Sequence, residues 1–339
     1  MGSGRTSEGA DWRGPVLLGL VFLLPLLALL AMTIGRTSIP LSTIIQVIWQ
    51  SDGSREALIV EGVRLPRVVS GVIVGSALAS AGAIMQAVTA NPLASPSLLG
   101  VNAGAAFALV VAMFAFGGVA STNYIWWAFA GAGTAAVVVY ALGSAGRGGA
   151  TPVRLALAGA VVASFLAALT TSILIFDTRT LGAVRLWTIG SLAGRQMDQV
   201  VAVLPYWAIG LSAAVVFRGQ IMTLSLGAMT ARAIGQNLAL WRGVSAAVVV
   251  ALAGGAVALA GPVAFVGLIV PHLARMLVGA DYRWIIPYSA IMGALMVVFA
   301  DNGIRLLLPE RDVPVGITLA LFGAPFFVYL ARYRIGPLR

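Results

Sequence analysis

Residues 85–104 read MQAVTANPLASPSLLGVNAG and lie inside the uncharged run 68–146. This run fills all 79 positions between Arg67 and Arg147, which is enough for three membrane crossings of about 20 residues each. The segment nevertheless contains two prolines and two asparagines. Because lipid offers no hydrogen bonds to a broken backbone, we expect this turn to lie at a membrane surface or to line a cavity inside the protein.

The composition as a whole excludes a soluble domain. Of the 339 residues, 60% are hydrophobic and only 9% are charged, and the mean hydropathy is +0.99. Soluble domains carry about 25% charged residues. The chain has no cysteine, which excludes disulfides, thiolate metal sites and cysteine nucleophiles. Its arginines are scattered and form no basic stripe, so we expect membrane lipid, and no nucleic acid, as a partner.

Charge-free runs divide the chain into ten expected crossings, which makes the fold class an all-α polytopic membrane protein. The run 243–274 is too long for one crossing, and Gly261-Pro262 divides it into two. Asn91-Pro92 and the segment 117–123 divide the longest uncharged run into three. The expected crossings are 14–35, 66–88, 97–117, 123–142, 155–176, 200–217, two within 243–274, 284–300 and 313–331.

An even number of crossings places both termini on the same side of the membrane. The basic residues near the two termini are Arg5, Arg13, Arg332, Arg334 and Arg339. The positive-inside rule therefore predicts that both termini are cytoplasmic. We expect a short cytoplasmic tail over residues 1–13 and a single ten-helix membrane domain over residues 14–335. A cleavable signal peptide is the alternative for the first crossing, but its apolar run exceeds the 7–15 residues typical of such peptides.

The polar segment 218–242 is the largest expected cytoplasmic loop. Gly227 and Gly235 divide it into two short helices, and its apolar residues recur at near-helical spacing. These apolar residues are Leu226, Met229, Ile234, Leu238 and Trp241. The pattern fits an amphipathic helix lying in the membrane interface, and it fits equally well a docking element whose apolar side chains enter a groove of a cytoplasmic partner.

Several ordered motifs resemble those of the FecCD-type permeases, which are the type II transmembrane subunits of ABC importers for iron–siderophores, haem or vitamin B12. The resemblance runs from about Pro15 to the C-terminus and implies a ten-helix permease fold. The motifs are RLPR (64–67), GAIMQ (82–86), NPLASPSLLG (91–100), LWTIGSL (186–192), LGAMTARAIG (226–235), GPVAFVGLIVPHLAR (261–275), DNGIR (301–305) and VPVGITLALFGAPFFVYL (313–330).

The resemblance decides in favour of docking for the large loop. In the family, this loop forms coupling helices that sit in a cleft of an ATPase subunit, and residues 224–241 match it. The matching positions are Leu226, Gly227, Met229, Arg232, Ile234, Gly235 and Leu238. ATP hydrolysis is then expected on a separate ATPase chain, and this chain is not an enzyme. Its sequence contains no GxxxxGK[ST] phosphate-binding loop.

The resemblance also implies an extracytoplasmic surface on which arginines meet carboxylates of a substrate-binding protein. The matching residues are Arg64 and Arg67 in RLPR and Arg305 in DNGIR. The planar guanidinium suits bidentate pairing with carboxylates at such an interface. Pairing within the chain is the alternative, because Asp301 lies one helical turn before Arg305, and Glu61 has the same opportunity with Arg64.

The turn at 91–100 is expected to form a cytoplasmic gate. Asn91 and Leu93 match the gate positions of the family, and Thr151, Pro152 and Val153 at the start of the fifth helix would face them. The family usually carries a serine/threonine pair at the latter position. Proline and valine offer fewer hydrogen bonds there, so the gate of this chain departs from the family pattern.

The resemblance places the translocation path between this chain and a second permease subunit, either an identical copy or a paralogue. The fifth helix and the segment 185–195 would line the path, with Trp187 and Gly190 as candidate residues. Trp187 would stack against a ligand there, or it would act as a packing residue or an interfacial anchor, as tryptophan commonly does.

Together these expectations describe a permease of the bacterial inner membrane that carries a ferric siderophore, with haem or vitamin B12 as alternatives. An ion-coupled secondary transporter is the alternative from another class, and it would need a buried carboxylate near the membrane midplane. No cofactor or metal is expected. His272 is the only histidine, and a lone histidine is a poor metal site because metals require several convergent ligands.

Overall fold

A computed structural model describes residues 12–116, 123–145, 151–308 and 311–333, and these residues form an all-helical bundle. Ten apolar helices, α1–α10, account for most of it. Their bounds are α1 Arg13–Thr33, α2 Arg55–Thr89, α3 Val101–Phe116, α4 Asn123–Ser144, α5 Pro152–Phe176, α6 Met197–Val216, α7 Leu238–Ala260, α8 Val266–Val278, α9 Tyr282–Leu307 and α10 Val315–Tyr333.

Each of the ten expected crossings overlaps one of these helices. Among the described residues, seven helices are long and apolar enough to cross a membrane, and α3, α8 and α10 contribute three shorter apolar segments. The expected all-α polytopic fold class is therefore confirmed. Of the expected N-terminal tail, only positions 12 and 13 belong to the described residues. Arg334, Arg339 and most of the break at 117–123 also lie outside the described residues.

Two hydrogen bonds define the two ends of the bundle. The Tyr288 hydroxyl donates to the carbonyl of Arg13 over 2.6 Å, so α9 begins beside the start of α1. The Arg305 guanidinium donates to the carbonyl of Ile34 over 2.6 Å, so α9 ends beside the end of α1. These two ends are called below the Arg13 end and the Ile34 end.

Helix α2 forms the centre of the bundle and is buried along most of its length. It packs closely against α9, because Gly75 and Gly293 face each other at the crossing. A methyl group added at Gly75 would lie 2.2 Å from the Gly293 carbonyl oxygen, so no larger residue fits at this contact. Small residues that let two backbones approach are the usual basis of helix packing in membranes.

The break expected at Gly261-Pro262 is present, since α7 ends at Ala260 and α8 begins at Val266. The intervening backbone is irregular, and Phe265 adopts a positive φ of 69°. Such irregular backbone is tolerated at membrane depth only where protein surrounds it or where it lines a water-filled cavity. Together with the turn at 90–100, this segment gives the described bundle two interruptions, and both line the same pocket.

Candidate functional site

The turn after α2 is built by local hydrogen bonds. Ala90 takes a left-handed conformation (φ 48°) that ends the helix, and the Asn91 side chain accepts a hydrogen bond of 2.9 Å from the Leu93 amide. This Asn-stabilised turn exposes Leu93, while Ala94 and Pro96 are buried. The polar residues therefore replace the hydrogen bonds that the broken helix loses.

The second half of the turn lines a partly open pocket of about 230 Å³. The Ser95 and Ser97 hydroxyls share a hydrogen bond of 2.6 Å at its wall, and the segment 263–268 forms the opposite wall. The first half of the turn, at Asn91 and Leu93, is exposed, and its second half lines this pocket, where Ser97 is also exposed. The position of the turn relative to the membrane stays a prediction.

The start of α5 has the geometry of a capped helix. The Thr151 hydroxyl accepts a hydrogen bond of 3.4 Å from the Arg154 amide, and Pro152 occupies the first helical position, where its missing N–H is harmless. Val153 is exposed. The turn reaches α5 through the Leu98 carbonyl, which packs against Gly159. Pairing of Asn91 and Leu93 with residues 151–153 stays a prediction.

The segment 218–233 forms two short helices at the Arg13 end, Arg218–Ser225 and Ala228–Ala233. Gly227 separates them with a φ of 91°, a conformation that residues with a side chain rarely adopt. The side chains of Leu226, Met229 and Ile234 are exposed, and they form what we call the apolar ridge. Arg232 is exposed beside it, and Gly235 turns the chain toward α7 with a φ of 82°.

Leu238 requires a correction. The sequence placed it with the residues that face a partner, but it is the first residue of α7 and its side chain is buried. It packs with Leu224 and Ala231 in a small core beneath the two short helices. Leu238 therefore supports the apolar ridge from inside the protein.

A buried ion-pair cluster lies at the Ile34 end. The Arg67 guanidinium donates to both carboxylate oxygens of Asp301, over 2.8 and 2.9 Å, and to Asp312 over 2.9 Å. Arg67 and Asp301 are buried, whereas the Asp312 side chain is 58% exposed. The hydrogen bond from Arg67 holds the pKa of Asp312 below its usual range. Arg67 is therefore already neutralised within the chain.

The other two arginines expected to dock a binding protein bind backbone carbonyls. Arg64 is buried and donates to the carbonyls of Met32 and Thr37. Arg305 donates to the Asn302 side chain over 3.1 Å and to Ile34. The alternative pairs based on helical spacing were wrong in their partners, because Asp301 binds Arg67 and Arg64 binds backbone carbonyls in and after the last turn of α1.

The two residues expected along the translocation path are both buried. Trp187, in the short helix Thr178–Thr188, is buried, so the packing alternative describes its position. The Gly190 carbonyl accepts a hydrogen bond of 3.0 Å from the Gly316 amide, which joins this segment to α10. Direct contact between Trp187 and a ligand would therefore require a rearrangement of this region.

Helix α5 presents an exposed apolar face. Its 25 residues form one of the least buried helices of the described bundle. Leu157, Val161 and Phe165 follow one another every four residues and are all exposed, so they form one continuous stripe. This stripe faces either lipid or another protein chain within the membrane.

Sequence reasoning missed a polar contact that joins three helices near the Arg13 end. The Arg275 guanidinium of α8 donates to the Gln86 side chain of α2 over 2.8 Å and to the Tyr282 hydroxyl of α9 over 3.2 Å. A signal was available, because Gln86 ends the motif GAIMQ and Arg275 ends the motif GPVAFVGLIVPHLAR. Nothing in the sequence showed that the two motifs touch.

The apolar helices of the described bundle indicate a multi-pass membrane protein. Two interruptions line one pocket of this bundle, and the apolar ridge lies outside its long helices. The chain belongs to the FecCD transport family, whose sequence model matches residues 23–333. The resemblance expected from the ordered motifs is thereby confirmed.

Known relatives and a solved structure agree with this family. The chain is 42% identical to a Bacillus subtilis (strain 168) protein named "Probable siderophore transport system permease protein YfiZ", covering 94% of this chain and 95% of the relative. It is 39% identical to the ferric enterobactin transport system permease protein FepD of Escherichia coli (strain K12), covering 93% and 94%. A metal-chelate type ABC transporter solved in an inward-facing conformation superposes with a TM-score of 0.82 at 28% identity, covering 95% and 99%.

Proposed function

We propose that this chain is the transmembrane permease subunit of an ATP-driven importer of ferric siderophores. The observation that carries the proposal is the apolar ridge of Leu226, Met229 and Ile234, presented at one end of a chain of the FecCD transport family. Three exposed apolar side chains outside the ten long helices are expected to be covered by lipid or by a partner.

The ridge is proposed to enter a cleft of a separate ABC ATPase subunit. Helix-in-groove docking uses apolar side chains at helical spacing, and Leu226, Met229 and Ile234 are the exposed apolar side chains around the second short helix. Gly227 and Gly235 set the angle of that helix, and Arg232 adds a charge beside the ridge. In this assignment the Arg13 end is cytoplasmic and the chain resides in the bacterial inner membrane with both termini inside.

The substrate is proposed to pass between α5 of this chain and a second permease subunit. The exposed stripe of Leu157, Val161 and Phe165 supplies the wall on this side. A gate would close the cytoplasmic end, formed by Asn91 and Leu93 of the turn with residues 151–153 of the α5 start. Trp187 and Gly190 would stabilise the extracytoplasmic end of the path by packing inside this chain.

An extracytoplasmic binding protein is proposed to dock at the Ile34 end. Arg64, Arg67 and Arg305 organise this end through contacts within the chain. Asp312 is the exposed member of the ion-pair cluster, so an incoming carboxylate would reach Arg67 by displacing Asp312. This exchange would keep the buried pair of Arg67 and Asp301 intact, which matters because an unpaired buried charge is strongly destabilising.

Ferric siderophores are proposed as the substrate because one relative described above is named a probable siderophore transport permease and the other a ferric enterobactin transport permease. The alternative of an ion-coupled secondary transporter would use a buried carboxylate near the membrane midplane. Asp301 is a buried carboxylate of the described helices, but it is paired with Arg67 at the Ile34 end.

The substrate proposal is tested by the ATPase activity of the assembled complex. The permease is co-purified with its ATPase, its second permease and its binding protein. Binding protein loaded with a ferric siderophore is expected to stimulate ATP hydrolysis, whereas haem or cobalamin gives no stimulation. Stimulation by haem or cobalamin alone would reassign the substrate, and failure of the chain to co-purify with any ATPase would refute the proposed role.

A further inference from the structure

Arg275 holds two other helices at once. From α8 its guanidinium reaches the Gln86 side chain of α2 and the Tyr282 hydroxyl of α9. The Gln86 amide nitrogen in turn donates to the Leu268 carbonyl of α8 over 3.3 Å. Gln86 is 1% exposed and Tyr282 is also buried, whereas Arg275 is half-buried. Arginine suits this position because its planar fork serves several acceptors in fixed directions.

One side of this contact leads to the proposed gate. Gln86 lies in the last turn of α2, and its carbonyl accepts a hydrogen bond of 3.1 Å from the Asn91 amide. The Asn91 side chain in turn accepts a hydrogen bond from the Leu93 amide. A displacement of the Gln86 backbone is therefore passed to Asn91 and Leu93 through consecutive hydrogen bonds.

The other side leads to the short helices that carry the apolar ridge. The Tyr282 amide lies 3.4 Å from the sulfur of Met222, which belongs to the short helix Arg218–Ser225. Val88, two residues after Gln86, packs against the small core that contains Leu224 of the same short helix. The contact thus lies between the ridge-bearing segment and the gate turn.

We propose that Arg275, Gln86 and Tyr282 form the junction that transmits movement of the ridge-bearing helices to the gate. This inference rests on the proposed function, since the movement comes from ATP-driven closure of the partner ATPase. Arg275 is a positioning residue in this scheme, because it touches neither ATP nor the substrate. Without the junction, closure of the ATPase no longer moves the gate, so ATP is hydrolysed without productive opening of the gate.

The sharpest test uses two gentle substitutions and one matched control. Gln86→Met removes the acceptor for Arg275 at similar volume, and Tyr282→Phe removes a single hydroxyl. Tyr288→Phe is the control, because Tyr288 lies on the same helix at the same end and its hydroxyl binds the Arg13 carbonyl outside the junction. The complete importer is reconstituted in vesicles, and siderophore uptake and ATP hydrolysis are measured in the same preparation.

Each junction variant is expected to lower the uptake per ATP by at least about tenfold, because a hydrogen bond to a charged group typically contributes a factor of ten or more. The control is expected to keep the wild-type ratio even if its thermal stability falls. A purely structural role would lower the stability of all three variants and leave the three ratios equal. Equal ratios in an active complex would overturn this inference alone, whereas a wild-type complex without ATP-linked uptake would overturn the proposed function as well.

A second measurement stays informative if Gln86→Met does not assemble. The chain has no cysteine, so Leu93→Cys places a single thiol at the proposed gate. Its reaction with a polar thiol reagent is expected to change at least threefold on adding ATP, and Tyr282→Phe is expected to abolish this change. An unaltered ATP response in the Tyr282→Phe background would contradict the junction.

Discussion

Truncating the apolar ridge should weaken binding of the ATPase without unfolding the permease. Met229 is the most exposed ridge residue, with 86% of its surface accessible, so nearly all of its side chain is available for burial in a partner. Fully burying a methionine side chain contributes roughly 1.5–3 kcal/mol. Because alanine keeps the first carbon, Met229→Ala should lose about 1–2.5 kcal/mol, which weakens the affinity by roughly fivefold to seventyfold.

The affinity is measured between the purified permease in detergent and the labelled ATPase subunit. Leu58→Ala is the matched control, because Leu58 is 64% exposed but belongs to the part of α2 at the Ile34 end. Leu238→Ala is a second comparison. It should lower the unfolding free energy of the permease by about 2–5 kcal/mol, since the Leu238 side chain is buried. Equal affinities for Met229→Ala and Leu58→Ala would refute the assignment of the ridge as the docking element.

The ion-pair cluster and the two turns give four further predictions. Arg67→Met should destabilise the chain by about 3–5 kcal/mol, and adding Asp301→Leu should recover most of this in thermal unfolding, because the unpaired buried charge is gone. The ionised Asp312 carboxylate should stabilise the fold fully above its ordinary pKa of about 3.9, and this stabilisation should disappear as the pH falls through its lower folded pKa. It is measured as the difference in unfolding free energy between the wild type and Asp312→Asn. A difference that is unchanged from pH 7 to 3 would contradict the ion pair of Asp312 with Arg67. Asn91→Ala should remove a hydrogen bond of about 1 kcal/mol and raise the ATP-independent leakage of substrate from loaded vesicles. Leakage at the wild-type rate would argue against the gate. Gly227→Ala should cost about 1–3 kcal/mol because of its positive φ and reduce ATPase affinity; wild-type affinity would show that the bend is dispensable.

The number and order of the crossings were predictable from the sequence because they follow from the length of the uncharged runs and from the proline and glycine breaks within them. A bilayer core of about 30 Å requires about 20 apolar residues, so the uncharged run 68–146 has room for three crossings. The break at Gly261-Pro262 was predictable for the same reason, because one crossing cannot hold 32 residues. The bend at Gly227 was also expected, since glycine readily adopts the positive φ that it has there.

The side-chain partners were not predictable, because they join residues that are distant in the chain. Helical spacing suggested Asp301 with Arg305, but Arg67 binds Asp301 across 234 positions of sequence. Spacing also placed Leu238 on the apolar ridge, although the start of α7 turns its side chain inward. Which side of an amphipathic segment is covered depends on the helices packed beneath it, and the periodicity of one segment contains no information about them.

The most direct measurement of the central claim is ATP-dependent uptake of radiolabelled ferric siderophore into vesicles. The vesicles contain this chain, a second permease subunit and the ATPase, and the loaded binding protein is added outside. We predict uptake that requires ATP on the ATPase side and that stops when the ATPase is omitted or when Met229→Asp removes its docking contact. Uptake by this chain without ATPase, driven by an ion gradient, would contradict the account.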